Sequence, residues 1–373
     1  MNTVPTLIVD HTAEPGGGEL ALLRLVEMSP HGFELLLLND GPMVERYRRT
    51  GATVRVLGRG RLLRRMAALR RGLRMTEAST IVSNSLRSAL FVALLRPRRL
   101  AHVIYVRDGL DRGSLSPLRR MFARLVTDTD ARVVLVNSRW TMSTLGARAR
   151  RRARVVFTTS GVVTGATRAV AASHVGETGP LRIVYVGRMV EWKGPDLVLE
   201  AAERVVRALG TESVSLTFVG SAVMGPGSFF EELRRRAASS AVEVDFAGQV
   251  DDVRHYLGKS DVLVHSSKRP EPFGQVIIQA AAAGIAILAP RSGGAAEILA
   301  KIPDALYAPG DATSLSEQLI ALARDRVALR ELAQAIAPLA SQYSDERMFA
   351  LFTHALASIS RRNGVTAHER SAR

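Results

Sequence analysis

The sequence predicts an α/β protein built from two doubly wound, parallel sheets. Three observations carry this reading. The chain has 373 residues, more than one growing hydrophobic core accommodates, so two domains are expected. Short β-branched runs alternate with helix-period segments almost throughout, which is the pattern of βαβ units. Between two such series the text turns polar and small, SHVGETGP, at about residues 172–180, as a linker does.

The first series runs TLIVDH, ELLLL, TVRVL, TIVSN, HVIYVRD, RVVLVNS and ARVVFTT, each followed by a loop or a helical pattern. That completes a first domain over residues 1–175. The opening MNTVPTLIVDH has no basic region, apolar stretch and small-residue cleavage site in succession, so it is expected to be a first strand and the protein cytoplasmic. The second series, RIVYVGR, SLTFVG, VEVDFAG, DVLVHSS and IAILAP, fills residues 176–345. Residues 346–373 have no strand after them: a last helix is expected to cross back to the first domain, with GVTAHERSAR as a frayed tail. Two such domains place a ligand site at the carboxyl ends of their strands.

Composition narrows the chemistry. The chain is 47% apolar and 23% charged, which is globular, and no apolar run is long enough to span a bilayer. It has no cysteine, which excludes disulfides, thiolate nucleophiles and thiolate-held metals. The net charge of +16 comes almost wholly from arginine; such a field attracts phosphates, nucleic acid or an anionic membrane without choosing among them. Only four lysines occur, Lys193, Lys259, Lys268 and Lys301, so a lysine inside a motif is informative.

VGRMVEWKG, residues 186–194, leaves the first strand of the second series. Arg188 and Lys193 are two cations at one strand end, flanked by Gly187 and Gly194, and can neutralise a diphosphate; the plainer reading is a pair of solvated cations. In the first series the glycine run of DHTAEPGGGE precedes a helix. It is not the dinucleotide fingerprint GxGxxG, and alone it reads equally well as a tight βα turn.

In their order and spacing GRMVEWKG, FVG, FAGQV, DVLVHSS, EPFGQVIIQAAAAG and SGGAAE resemble the second domain of the retaining glycosyltransferase family 4. Members of that family have the GT-B fold, two facing Rossmann-like domains with an interdomain cleft. The resemblance covers residues 181–345. It implies a metal-independent transfer of a sugar from a nucleoside diphosphate donor, with no cofactor, to an acceptor hydroxyl on a glycan, a lipid-linked molecule or a small molecule. It further implies that Arg188 and Lys193 clasp the diphosphate and that Glu271 holds sugar hydroxyls. The amides of Phe273 and Gly274 add donors at a helix start, and Val250 belongs to the same donor-binding set. Gly293, Gly294 and Glu297 lie at a turn near the sugar, and Gly17 and Gly18 offer backbone contact to the phosphates across the cleft.

The family motif has a second glutamate where this chain has Gln279. An amide keeps one acceptor for the nucleotide ribose but loses the charge-assisted part, a change of about 1–2 kcal/mol in donor binding. Where family members place a histidine or a charged pair near the reacting sugar, this chain has Arg107 and Asp108; a surface ion pair is an equal alternative for Asp108. His102 stands at the wrong end of its strand and is expected to be packed. Asn137 and Ser138 are expected to cap a helix, with Ser138 also a candidate for facing the cleft.

Residues 58–75 contain seven arginines and no acid, with Leu62, Met66, Leu69 and Leu73 in one stripe. An ordinary core stripe beneath solvated arginines is the favoured reading. Peripheral contact with the inner face of an anionic membrane is the alternative. No aromatic interleaving points to nucleic acid. Two other functions stay open: a GT-B-like sugar-nucleotide epimerase, which needs acid and base groups at the sugar, and a non-catalytic basic protein docked on a membrane.

Overall fold

The computed structural model describes residues 5–58, 60–163, 179–222, 225 and 227–371. The chain divides into two compact units, Met1–Gly161 with Asp345–Arg373, and Val162–Ser344. The expected linker, up to residue 178, and with it the expected boundary at 175, lies outside the described residues.

The first unit is built on seven strands: β1 Thr6–Asp10, β2 Phe33–Leu37, β3 Thr53–Val56, β4 Thr80–Ser83, β5 Ala101–Val106, β6 Val133–Val136 and β7 Ala153–Val155. Their order is β3-β2-β1-β4-β5-β6-β7, all pairings parallel. Strands covered on both faces read as continuous apolar runs, and β2 shows this: all five of its residues are buried. Its Glu34 is tolerated because Arg55 lies 2.7 Å away and the Thr76 hydroxyl donates to it at 2.8 Å, as a buried charge requires.

The arginine-rich helix Leu62–Met75 buries Leu69 and Leu73 against Leu7, Val9, Leu36 and Ile81. Leu69 and Leu73 are therefore core, and Arg61, Arg64, Arg70, Arg71 and Arg74 are exposed, while the half-buried Arg65 donates to Leu38 O. His102 is buried as expected, with Nδ1 2.5 Å from Asp130 and Nε2 2.8 Å from the Ser83 hydroxyl. The C-terminal helix Asp345–Ser371 belongs to this unit. Phe349 and Phe352 meet the edge of Phe33 at 6.5 and 6.0 Å, and the Asp345 carboxylate accepts from the amides of Ser160 and Gly161.

The second unit holds β8 Leu181–Val186, β9 Val214–Val219, β10 Glu243–Gly248, β11 Val262–Val264, β12 Ala286–Pro290 and β13 Leu306–Tyr307. Their order is β10-β9-β8-β11-β12-β13, again parallel. Each sheet thus reverses its winding once, between β1 and β4 in the first and between β8 and β11 in the second. At such a point the loops leaving the two strands turn opposite ways and open a crevice, where open α/β sheets bind ligands. Among the described residues no helix is long and apolar enough to cross a membrane.

Candidate active site

The crevice of the second sheet is formed by the loops after β8 and β11. After β8 the chain makes a short 3-10 turn, Glu191–Lys193, and enters the helix Pro195–Leu209 through Gly194. Gly194 has φ +68°, and a Cβ there would run into the carbonyl of Ser266, so only glycine lets the two loops close on each other. They are then stitched together. The Ser266 hydroxyl donates to the carbonyls of Lys193 and Gly194 at 3.0 and 2.8 Å, and the Lys268 amide donates to Trp192 O at 2.8 Å.

This stitching brings Lys193 Nζ to 2.6 Å from Glu271 Oε1. The other carboxylate oxygen accepts from the Ser267 hydroxyl at 3.0 Å. His265 Nε2 also lies 3.0 Å from that oxygen, close but not as an aligned hydrogen bond. Burial would raise the pKa of Glu271, but Lys193 and His265 beside it outweigh this and hold the carboxyl well below the usual range. Arg188 is exposed, and both cations lie against one indole: the Arg188 guanidinium is 5.7 Å and Lys193 Nζ 4.6 Å from the Trp192 ring. The buried Tyr185 donates to the Arg188 carbonyl at 3.0 Å and fixes that turn.

The loop carrying Glu271 is set by glycines. Gly293 has φ +64°, and a side chain there would meet the backbone of Glu271; one at Gly294 would meet Pro272 and Phe273. The Gly294 amide donates to Glu271 O at 2.7 Å. These two residues therefore act on Glu271 through the main chain. Phe273 buries its ring edge-on to Tyr343, centroids 5.9 Å apart, and Gly274, φ +99°, begins the helix Gln275–Ala283. Gln279 is half-buried on that helix, Glu297 half-buried on the helix Gly293–Ile298, and Val250 half-buried after β10. These three share the strand-end side with Glu271.

In the first unit Gly17 opens the helix Gly17–Glu27, and Gly18 O accepts from Arg107 Nη1 at 2.7 Å. The Arg107 guanidinium sits 4.3 Å from the Tyr105 ring, so it braces the glycine turn. Asp108 is exposed. Ser138 is the expected cap: it is buried, its oxygen caps the helix Arg139–Thr144 by accepting from the Thr141 amide, and its hydroxyl donates to Thr141 Oγ1.

Sequence reasoning missed two groups. In the sequence His265 is only one residue of the strand DVLVHSS, and its signal is a histidine at the end of a strand beside the winding reversal. At the reversal of the first sheet, Asp10 accepts from the His11 amide at 2.6 Å and from Asn84 Nδ2 at 2.5 Å, and His11 Nδ1 is 2.9 Å from the Ser85 hydroxyl. Glu19 stands close enough that burial and the Asp10 charge raise its pKa.

Two Rossmann-like sheets with this winding define the GT-B class of fold. Residues 169–340, nearly all of the second unit, match the family model described as glycosyl transferases group 1. A crystal structure of Alr3699/HepE from Anabaena in complex with UDP superposes with a TM-score of 0.81 over 95% of this chain and 100% of that one, at 21% identity. The lipopolysaccharide core biosynthesis glycosyltransferase LpsE of Rhizobium meliloti is 33% identical over 136 residues, 35% of this chain and 36% of its own. Spore coat protein SA of Bacillus subtilis is 27% identical over 132 residues, 34% of each chain. The chain thus spans about a third of the length of these two relatives.

Proposed function

We propose that the protein transfers a sugar from a nucleoside diphosphate donor to an acceptor hydroxyl, with retention and without a metal or cofactor. The observation that carries this is the Lys193–Glu271 pair, 2.6 Å apart, set beside Arg188 at the winding reversal of the second sheet. A leaving diphosphate gains negative charge as the glycosidic C–O bond breaks, and preorganised cations stabilise that state more than the ground state. Arg188 and Lys193 supply the charge that a metal would otherwise bring. Glu271, held ionised, accepts hydrogen bonds from donor sugar hydroxyls and fixes the sugar beneath the diphosphate. The bonding electrons leave with the phosphate oxygen, the acceptor oxygen bonds to the anomeric carbon on the same face, and its proton passes to a donor phosphate oxygen. Gln279 takes the ribose, with the Phe273 and Gly274 amides and Val250 completing the donor contacts.

The match to the group 1 family model supports a sugar nucleotide as donor, as do the crystal structures of this fold in complex with UDP and with UDP-glucose. The purified chain is to be screened against UDP, GDP, ADP and dTDP sugars for a rise in melting temperature, and the donor selected assayed for nucleoside diphosphate release with a panel of hydroxyl acceptors. At least one donor is expected to stabilise the protein and to be consumed. Neither binding nor release with any donor would refute the reading.

A further inference from the structure

The helix Pro117–Thr129 is packed inside out. Its buried face is Ala123, Val126 and Thr127, small or short side chains set against Ile104, Val134 and Val136 of the sheet. Its large apolar residues face away: Leu118 is 62% exposed, Met121 55%, Phe122 41% and Leu125 54%. Spacings of i, i+3, i+4 and i+7 put the four on one face. A scattered exposed leucine is ordinary, whereas a contiguous exposed stripe marks an interaction surface.

The stripe is not isolated. The helix Leu86–Leu95 packs Ala89 into the same cluster as Ala123 and Val126, and Val92 into the cluster that holds Leu69 and Leu73. The helices Leu62–Met75, Leu86–Leu95 and Pro117–Thr129 therefore cover one face of the first sheet in sequence. The other two also turn apolar side chains outward, with Leu94 66%, Leu63 80% and Met75 66% exposed. The sequence of this layer is of one sign: residues 60–127 hold fifteen arginines against Glu77, Asp108 and Asp111, and of the fifteen Arg65, Arg96 and Arg107 are turned to Leu38 O, Asp130 and Gly18 O. Asp128 and Asp130, just beyond, are taken up internally by the Ala149 amide and by Arg96 and His102.

We infer that this helix layer docks on an anionic lipid bilayer. Leu118, Met121, Phe122 and Leu125 enter the boundary between head groups and acyl chains, and the arginines around them meet lipid phosphates. Charge complementarity selects this occupant. A second copy would bring arginines against arginines, and a nucleic acid would leave three aliphatic side chains against a polyanion with only the Phe122 ring to stack.

The test is co-sedimentation of the full chain with vesicles of phosphatidylcholine alone and of phosphatidylcholine with phosphatidylglycerol at about three to one. Binding is expected only to the anionic vesicles and is expected to weaken with salt. The double variant Leu118→Ser, Leu125→Ser should lose about tenfold or more of that binding while keeping its melting temperature, since both side chains are exposed. Equal binding by the variant, or no vesicle binding at low salt, overturns the inference. A wild-type dimer that the variant converts to monomer in light scattering assigns the stripe to a second copy instead. Tighter binding to a single-stranded oligonucleotide than to the anionic vesicles assigns the charge to nucleic acid.

Discussion

Lys193 Nζ and Glu271 Oε1 stand 2.6 Å apart although seventy-eight residues separate them in the chain. The pair exists because the loops after β8 and β11 are closed by Gly194 and tied by the Ser266 hydroxyl. Removing either partner takes from the other half-buried charge its nearest opposite charge, which costs more than the pair contributes. The pair is thus both a positioning device and a source of pH dependence.

The folded pKa of Glu271 lies well below the ordinary carboxyl value of 4.5. Between the two values the unfolded chain binds more protons than the folded one, so stability rises with pH across that window. The contribution is present above pH 4.5 and is lost as the pH falls toward the folded pKa. Melting temperature followed from neutral pH downward should fall in that window, and Glu271→Gln should flatten the fall. A variant with the wild-type acid profile would show that other carboxylates carry it.

Gly294→Ala is expected to destabilise the second unit by about 1–3 kcal/mol, because a methyl group meets the backbone of Pro272 and Phe273. Urea unfolding measures this. The same change pushes the Glu271 loop away from Lys193, so donor affinity should fall with it. Stability and affinity both at wild-type level would mean that the loop moves aside freely.

Gln279→Glu restores a carboxylate on the helix Gln275–Ala283. If Gln279 receives the ribose, titration of the donor should show tightening of about 1–2 kcal/mol, roughly 5- to 30-fold. Unchanged or weaker affinity would show that the pocket is built around the amide.

The two parallel sheets were legible because their central strands are apolar on both faces and strands alternate with helical segments. Arg188 and Lys193 were legible because they leave a strand end. His265 was not, since only the fold carries Ser267 and Glu271 back beside it. Ser138 was legible as a cap, because a serine there ends a strand and opens a helix. The helix Pro117–Thr129 defeats pattern reading in a different way. Its large apolar residues recur at core spacing, yet the sheet leaves room only for Ala123, Val126 and Thr127, and the stripe that periodicity would bury is the one left outside.

Isothermal titration of the selected nucleoside diphosphate sugar into the wild-type chain and into Lys193→Ala and Arg188→Ala bears most directly on the donor site. Each variant should bind at least about tenfold more weakly, the loss of one charge-assisted contact to a phosphate, and the effect should shrink when the nucleoside without its diphosphate is titrated. Wild-type affinity in both variants would contradict a donor site at the β8–β11 reversal.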